Sequence, residues 1–118
     1  MKEQLTLGQL IFLLSRCKPE STVRYDFARF TPKGLDSYRG YYEQLALGYG
    51  EEEITVETLL KLCRDKVGAT VTGYKGGEFD VGESTHIWMA NWGDCHDTAI
   101  VGVIDNEWCV ILETAYVG

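Results

Sequence analysis

Two stretches written in nearly the same letters constrain this chain most. Leu5-Thr6-Leu7-x-x-Leu10-x-x-Leu13 returns 49 residues later as Ile54-Thr55-Val56-x-x-Leu59-x-x-Leu62. Each sets a threonine, whose hydroxyl can cap a helix start, just before apolar positions at helical spacing. In the first, Gln9 follows Thr6 by three residues, the pattern of a reciprocal capping box. Leu7, Leu10, Ile11, Leu13 and Leu14 form its stripe, and Cys17 with Pro19 beyond it marks the end. In the second, Thr55 caps, Val56, Leu59, Leu60, Leu62, Cys63 and Val67 supply the apolar face, and Gly68 is a natural stop. The echo reaches faintly into Thr22-Val23-x-Tyr25 and Thr70-Val71-x-x-Tyr74. Capped amphipathic helices resemble one another, so from the letters alone we take the echo as coincidence.

The remaining segments read as strands and turns. Thr22 to Phe27 predicts a strand, and residues 28–40, with Pro32, Gly34 and Gly40, predict a loop. Tyr41 to Tyr49 predicts a strand with Tyr41, Leu45, Leu47 and Tyr49 on one face. Its other face carries Ala46 and Gly48, small enough for a helix or ligand to approach the backbone. Four more strands are expected: Ala69 to Tyr74, His86 to Trp92, Thr98 to Ile104 and Trp108 to Thr114. The polar turn Asp105-Asn106-Glu107 joins the last two as a hairpin. The expected architecture is a single α+β domain over residues 1–118: an antiparallel or mixed sheet of about five or six strands with two helices packed on one face.

Charge is divided unevenly. Residues 1–75 hold all eleven Lys and Arg against ten acids, whereas residues 76–118 hold eight acids and no Lys or Arg. An acidic protein of net charge −7 repels polyanions, which argues against extended nucleic acid as a partner. It leaves room for a small anion at a local basic cluster, or for a partner protein with a basic surface. No apolar run approaches the roughly 20 residues of a membrane helix, so no membrane partner is expected and the chain reads as cytosolic. The four cysteines form no CxxC pattern and read as reduced, with Cys17, Cys63 and Cys109 as small buried apolar groups.

Binding residues concentrate between Tyr25 and Tyr49, which holds seven of the fourteen aromatics together with Arg29, Lys33 and Arg39. Tyrosine and arginine on glycine-broken backbone suit a ligand site: rings stack, and a guanidinium grips phosphate in bidentate fashion. The loop Asp36-Ser37-Tyr38-Arg39-Gly40-Tyr41-Tyr42 is the centre of that reading; alternatively Arg39 pairs with Asp36 or Asp26 and the tyrosines pad the sheet. Gly73-Tyr74-Lys75-Gly76-Gly77-Glu78 could line an anion with its amides and Lys75, or be a plain connecting turn. In Ala90–Asp97, Asn91 and Trp92 can hydrogen-bond and stack. The adjacent Cys95 and His96 point to opposite faces of an extended chain and suit neither a shared metal nor a nucleophile–base pair. Trp88 and Trp108 read as core or sheet-face packing. The candidate ligand-binding set is therefore Asp36, Tyr38, Arg39, Tyr41, Tyr42, Tyr74, Lys75, Asn91 and Trp92, with no catalytic residue, metal or cofactor assigned.

With the blocks Asp36–Tyr49 (DSYRGYYEQLALGY), Gly73–Glu78 (GYKGGE), Ala90–Gly93 (ANWG) and Thr98–Val103 (TAIVGV), the chain resembles a small bacteriophage protein family. The family carries these blocks in the same order behind a similar capped helix. The resemblance implies a viral accessory protein in the cytoplasm of an infected bacterial host. It carries over no binding residues. Small phage proteins without catalytic motifs often counter host defence. The leading expectation is a non-enzymatic homodimer or larger homo-oligomer that sequesters a small anionic, nucleotide-type immune signal. The alternatives are an inhibitor binding a host defence protein through its acidic or aromatic surface, and an enzyme degrading the signal through Cys95, His96 or a phenol.

Overall fold

The computed structural model describes residues 3–27, 29–39, 43–73, 76–91 and 97–117. Along the chain run α1 (Leu7–Ser15), β1 (Val23–Tyr25), β2 (Thr31–Ser37), β3 (Leu45–Gly50), α2 (Val56–Lys66), β4 (Thr70–Thr72), β5 (Glu78–Asp80), β6 (Ile87–Met89), β7 (Thr98–Asp105) and β8 (Val110–Tyr116). Six strands form one mixed sheet in the order β1-β8-β7-β6-β3-β2, and β4 with β5 form a separate two-stranded sheet. β1 runs parallel to β8 and β3 parallel to β6; the other neighbours are antiparallel. The sheet curls until its edges meet near Tyr25, whose amide donates to the Phe30 carbonyl, one residue before β2, at 3.0 Å.

Both helices lie against the inner face of that curl, the α+β arrangement the periodicity predicts. Leu7, Leu10 and Leu14 of α1 and Val56, Leu59 and Cys63 of α2 are fully buried. They share one cluster with sheet residues Val23, Tyr25, Leu45, Leu47, Ile87, Ile100 and Leu112. The outer face holds a smaller cluster of Tyr38, Ala46, Trp88, Ala99 and Val101. Truncating any one buried leucine of the inner cluster to alanine should cost about 2–5 kcal/mol.

The two helix entries are built alike to the level of single hydrogen bonds. The Thr6 hydroxyl accepts from the Gln9 amide at 3.2 Å while Gln9 Oε1 accepts from the Thr6 amide at 2.9 Å, completing the capping box. At α2 the Thr55 hydroxyl accepts from the Thr58 amide at 3.3 Å. A helix start also leaves its first amides without helical partners. In α1 these donate to the Thr85 and Glu83 carbonyls, at 2.7 and 2.8 Å from Leu7 and Gly8. In α2 they donate to the Ser21 and Pro19 carbonyls, at 2.8 and 3.0 Å from Val56 and Glu57. Each cap threonine further forms an antiparallel bridge, Thr6 with His86 and Thr55 with Thr22.

The likeness does not stop at the helices, and it overturns coincidence as the account of the echo. α1-β1-β2-β3 and α2-β6-β7-β8 are two αβββ units, and each helix is capped by the turn preceding the first strand of the other unit. β1 pairs with β8 as Val23↔Val110, Arg24↔Ile111 and Tyr25↔Leu112. β6 pairs with β3 in the same parallel register, Ile87↔Leu45, Trp88↔Ala46 and Met89↔Leu47. The flanking bonds match too: Val110 to Thr22 and Leu45 to His86, then Asp26 to Leu112 and Ala90 to Leu47, amide to carbonyl. Both hairpins carry a register irregularity in their first strand, between Pro32 and Leu35 in β2 and between Ile100 and Gly102 in β7. The letters do mislead about one strand: Thr70-Val71 lies in β4, whereas the structural counterpart of β1 is β6.

Three expectations about elements are corrected. Residues 28–40 are not all loop, because Thr31–Ser37 is β2. Pro32 and Gly34 hid it: Pro32 is tolerated on an edge strand, and Gly34 takes φ +74° at the bulge. The Lys33 carbonyl turns there onto Gly48, where any Cβ would collide with it; this backbone, not a helix or ligand, uses the small face of β3. That strand begins at Leu45, and Tyr41 and Tyr42 lie outside the described residues. Glu78–Asp80 is also a strand, β5.

Candidate ligand-binding site

The candidate residues within the described chain fall into two places. Asp36 is exposed on the outer face of β2, paired with Ala46. Arg39 is exposed just past the end of that strand, and no ion pair links it to Asp36 or Asp26. Tyr38, between them, is only 1% exposed. Its ring stacks on the Trp88 indole with centroids 4.8 Å apart and planes 8° from parallel. The Asp97 amide donates to its hydroxyl at 2.9 Å, and Gln44 Oε1 accepts from the Trp88 indole N–H at 2.6 Å. A floor of Ala46 and Ala99, paired across Trp88 from either side, leaves room for the two large rings.

Asn91 lies elsewhere, beyond the finishing end of β6, where its carbonyl accepts from the Tyr49 hydroxyl at 3.4 Å. Tyr74, Lys75 and Trp92 lie outside the described residues, as do Cys95 and His96. The turn between β4 and β5 uses two of its amides internally: Gly73 donates to the Gly77 carbonyl at 2.6 Å and Gly76 to the Gly73 carbonyl at 2.9 Å.

At Met89 and Ala90, just before Asn91 in the chain, the structure assembles a site that the linear motifs do not spell out. The inner faces of β6, β7 and β8 end in a pocket of about 270 Å³ lined by Phe27, Met89, Ala90, Thr98, Thr114 and Tyr116. Its volume is near the lower end of small-molecule sites, and the mouth of a curled sheet is a recurrent place for one. Aromatic rings run beside it: Tyr25 to Phe27 at 5.8 Å, Phe27 to Phe30 at 6.0 Å and Phe30 to Tyr49 at 5.1 Å. Polar groups adjoin the lining residues Phe27 and Thr114. Asp26 accepts from the Thr114 hydroxyl at 2.7 Å and from the Thr114 amide at 2.9 Å. Arg29, in the turn between Phe27 and Phe30, is exposed and forms no ion pair with a described residue.

Comparing the two αβββ units explains why the pocket exists. Pro32 pairs with Tyr49 in the β2–β3 hairpin, and Ile100 pairs with Thr114 at the matching register of β7–β8. Phe30 and Tyr49 therefore occupy the positions that Thr98 and Thr114 hold in the other unit. Where one unit packs two rings against each other, its counterpart has two threonines and an opening. The register comparison between units is the signal that finds Thr98 and Thr114; composition and motif spacing do not.

The buried titratable groups of the core are structural. Tyr25 is buried and its hydroxyl donates to the Leu47 and Gly48 carbonyls, at 3.0 and 2.7 Å. Burial holds its ionisation well above the ordinary phenol range. Burial also pushes the Cys63 thiol up to about 12, and burial followed by the negative charge of Asp105 raises that of Cys17. A neutral thiol is a poor nucleophile and metal ligand. Among the described residues no three His, Cys, Asp or Glu side chains are grouped to hold a metal ion, and no helix is long and apolar enough to cross a membrane. Comparison of the chain with family models, curated proteins and solved structures found no match.

Proposed function

We propose that this chain is a non-enzymatic binding protein that captures a small anionic, nucleotide-type ligand, with the ring of the ligand in the sheet mouth. The observation that carries the reading is the pocket beside Thr98 and Thr114, in the position where the other unit keeps the rings of Phe30 and Tyr49. A space complementary to aromatic rings suits a nucleobase, and Phe27 and Met89 supply apolar walls for stacking. The Thr98 hydroxyl and the Asn91 amide read the edges of base or ribose, and Arg29 meets phosphate at the rim. The Tyr38–Trp88 stack braces the outer face behind the site.

The phage-family resemblance gives this binding a purpose: an anti-defence sponge that removes an immune signal in the infected host. A sponge acts by mass action, so it requires tight binding and high copy number and no turnover. The test is to incubate the protein with cyclic nucleotides and ADP-ribose derivatives, follow its melting temperature, then heat it and analyse what is released. Intact nucleotide supports capture, and altered nucleotide supports an enzyme. Arg29→Ala should weaken capture at least tenfold without changing the fold; loss on Arg39→Ala alone would move the site to the end of β2.

A further inference from the structure

The outer face of the sheet is filled over β2, β3 and β6 and open over the matching strands β7, β8 and β1, and the open half has the chemistry of a protein-docking surface. In the filled half, Asp36, Ala46 and Trp88 stand side by side across β2, β3 and β6, and the Tyr38 ring lies on Trp88. The matching positions in the other half are Ile104, Ile111 and Arg24, side by side across β7, β8 and β1. The Asn106 amide donates to the Cys109 carbonyl as the Tyr38 amide does to that of Gln44, which makes Asn106 the counterpart of Tyr38. Asn106 is exposed and brings no ring over its neighbours. Ile104 is left 42% exposed, and Trp108, at the tip of the same hairpin, is 83% exposed.

We infer that this surface of Ile104, Ile111, Arg24 and Trp108 docks a basic protein segment that presents an aromatic side chain. The filled half supplies the shape of the occupant: a ring lying flat on the position that Arg24 holds here. A guanidinium accepts a ring by cation–π stacking as an indole does by π stacking. The charge supplies the rest of its chemistry. Glu107 at the hairpin tip and Glu113 flank the patch, Glu113 extending over Gly102 on the same face, and residues 76–118 contain no Lys or Arg. Around an apolar centre such a rim attracts Lys and Arg and repels a second copy of itself. An exposed tryptophan inside a polar rim is the residue type that most often dominates an interface.

Panning a random dodecapeptide library on the full chain tests this. The expected consensus is an aromatic residue flanked by Lys or Arg. A synthetic peptide of that consensus should bind less tightly as salt is raised, and at least about 30-fold less tightly to Trp108→Ala. Trp108 is exposed, so that variant should keep the wild-type melting temperature. Arg24→Ala, read alongside it, should lower affinity for aromatic more than for leucine versions of the peptide. Failure to enrich any consensus, a consensus without basic residues, or equal binding to Trp108→Ala would overturn the inference. Concentration-dependent dimerisation that disappears in Trp108→Ala would overturn it in favour of a second copy as occupant.

Discussion

Trp88 and Trp108 read alike in the sequence, each as packing on a sheet face, and the structure gives them opposite fates. Trp88 sits on an alanine floor, stacked on Tyr38 and bonded to Gln44. Trp108 stands at a hairpin tip, 83% exposed. The difference belongs to the two halves of the outer face, β2–β3–β6 under Trp88 and β7–β8–β1 beside Trp108. The two αβββ units share backbone register, cap geometry and bulge position, and they differ in where their aromatic residues stand. On the outer face the β2–β3–β6 half is filled and the β7–β8–β1 half open; at the mouth the first unit holds Phe30 and Tyr49 where the second has Thr98 and Thr114. One backbone arrangement used twice is thus packed at one set of positions and open at the matching set, and both openings are where binding is proposed.

The comparison breaks most readily at Trp88. Trp88→Ala should cost about 3–5 kcal/mol in urea unfolding, whereas Trp108→Ala should stay within about 0.5 kcal/mol of wild type; equal effects would dissolve the distinction between the halves. Gly48→Ala should cost about 1–3 kcal/mol, because the obstructing atom is the backbone oxygen of Lys33. Gly102→Ala should cost less, since the flexible Glu113 side chain can move aside. Removing one capping hydroxyl at a time sharpens the equivalence of the helix entries: Thr6→Ala and Thr55→Ala should each lose about 1 kcal/mol, with Thr6→Ala the larger because its capping box is reciprocal. Tyr38→Phe, which deletes one hydroxyl, should also lose about 1 kcal/mol.

A pH titration separates structural from reactive thiols. The Cys63 thiol goes from an ordinary value of 9.0 to about 12 on burial. Between those values the unfolded chain has released a proton that the folded chain keeps. Stability contributed by the neutral thiol is therefore complete below about pH 9 and falls as pH rises toward 12. Tyr25, raised by burial as well, adds a loss of the same sign at still higher pH. Iodoacetamide at pH 8 should modify the half-buried Cys109 faster than Cys63; equal rates would contradict the burial of Cys63.

Much of the frame was legible because helix caps and periodicity are local. Thr6, Gln9 and Thr55 announce both helices, and the apolar runs at 98–104 and 108–114 on either side of the polar Asp105-Asn106-Glu107 announce the β7–β8 hairpin. β2 was not legible, because Pro32 and Gly34 are punctuation for a loop unless the strand is known to lie on an edge with a bulge. The mouth was not legible either. Phe27, Met89, Thr98 and Thr114 come from separate segments, and only sheet register brings them together. From the letters Tyr38 is expected as a ligand contact, with packing on the sheet as the alternative; its ring lies inside the outer-face cluster, on Trp88.

The most direct measurement is a nucleotide titration of wild type beside Thr98→Phe, which places a ring in the mouth at the position matching Phe30. Binding of a cyclic or ADP-ribose nucleotide should raise the wild-type melting temperature. Thr98→Phe should fold with equal or greater stability and bind at least about 30-fold more weakly. A nucleotide that binds both proteins equally, or a panel that leaves the wild-type melting temperature unmoved, would contradict the assignment of the sheet mouth as the binding site.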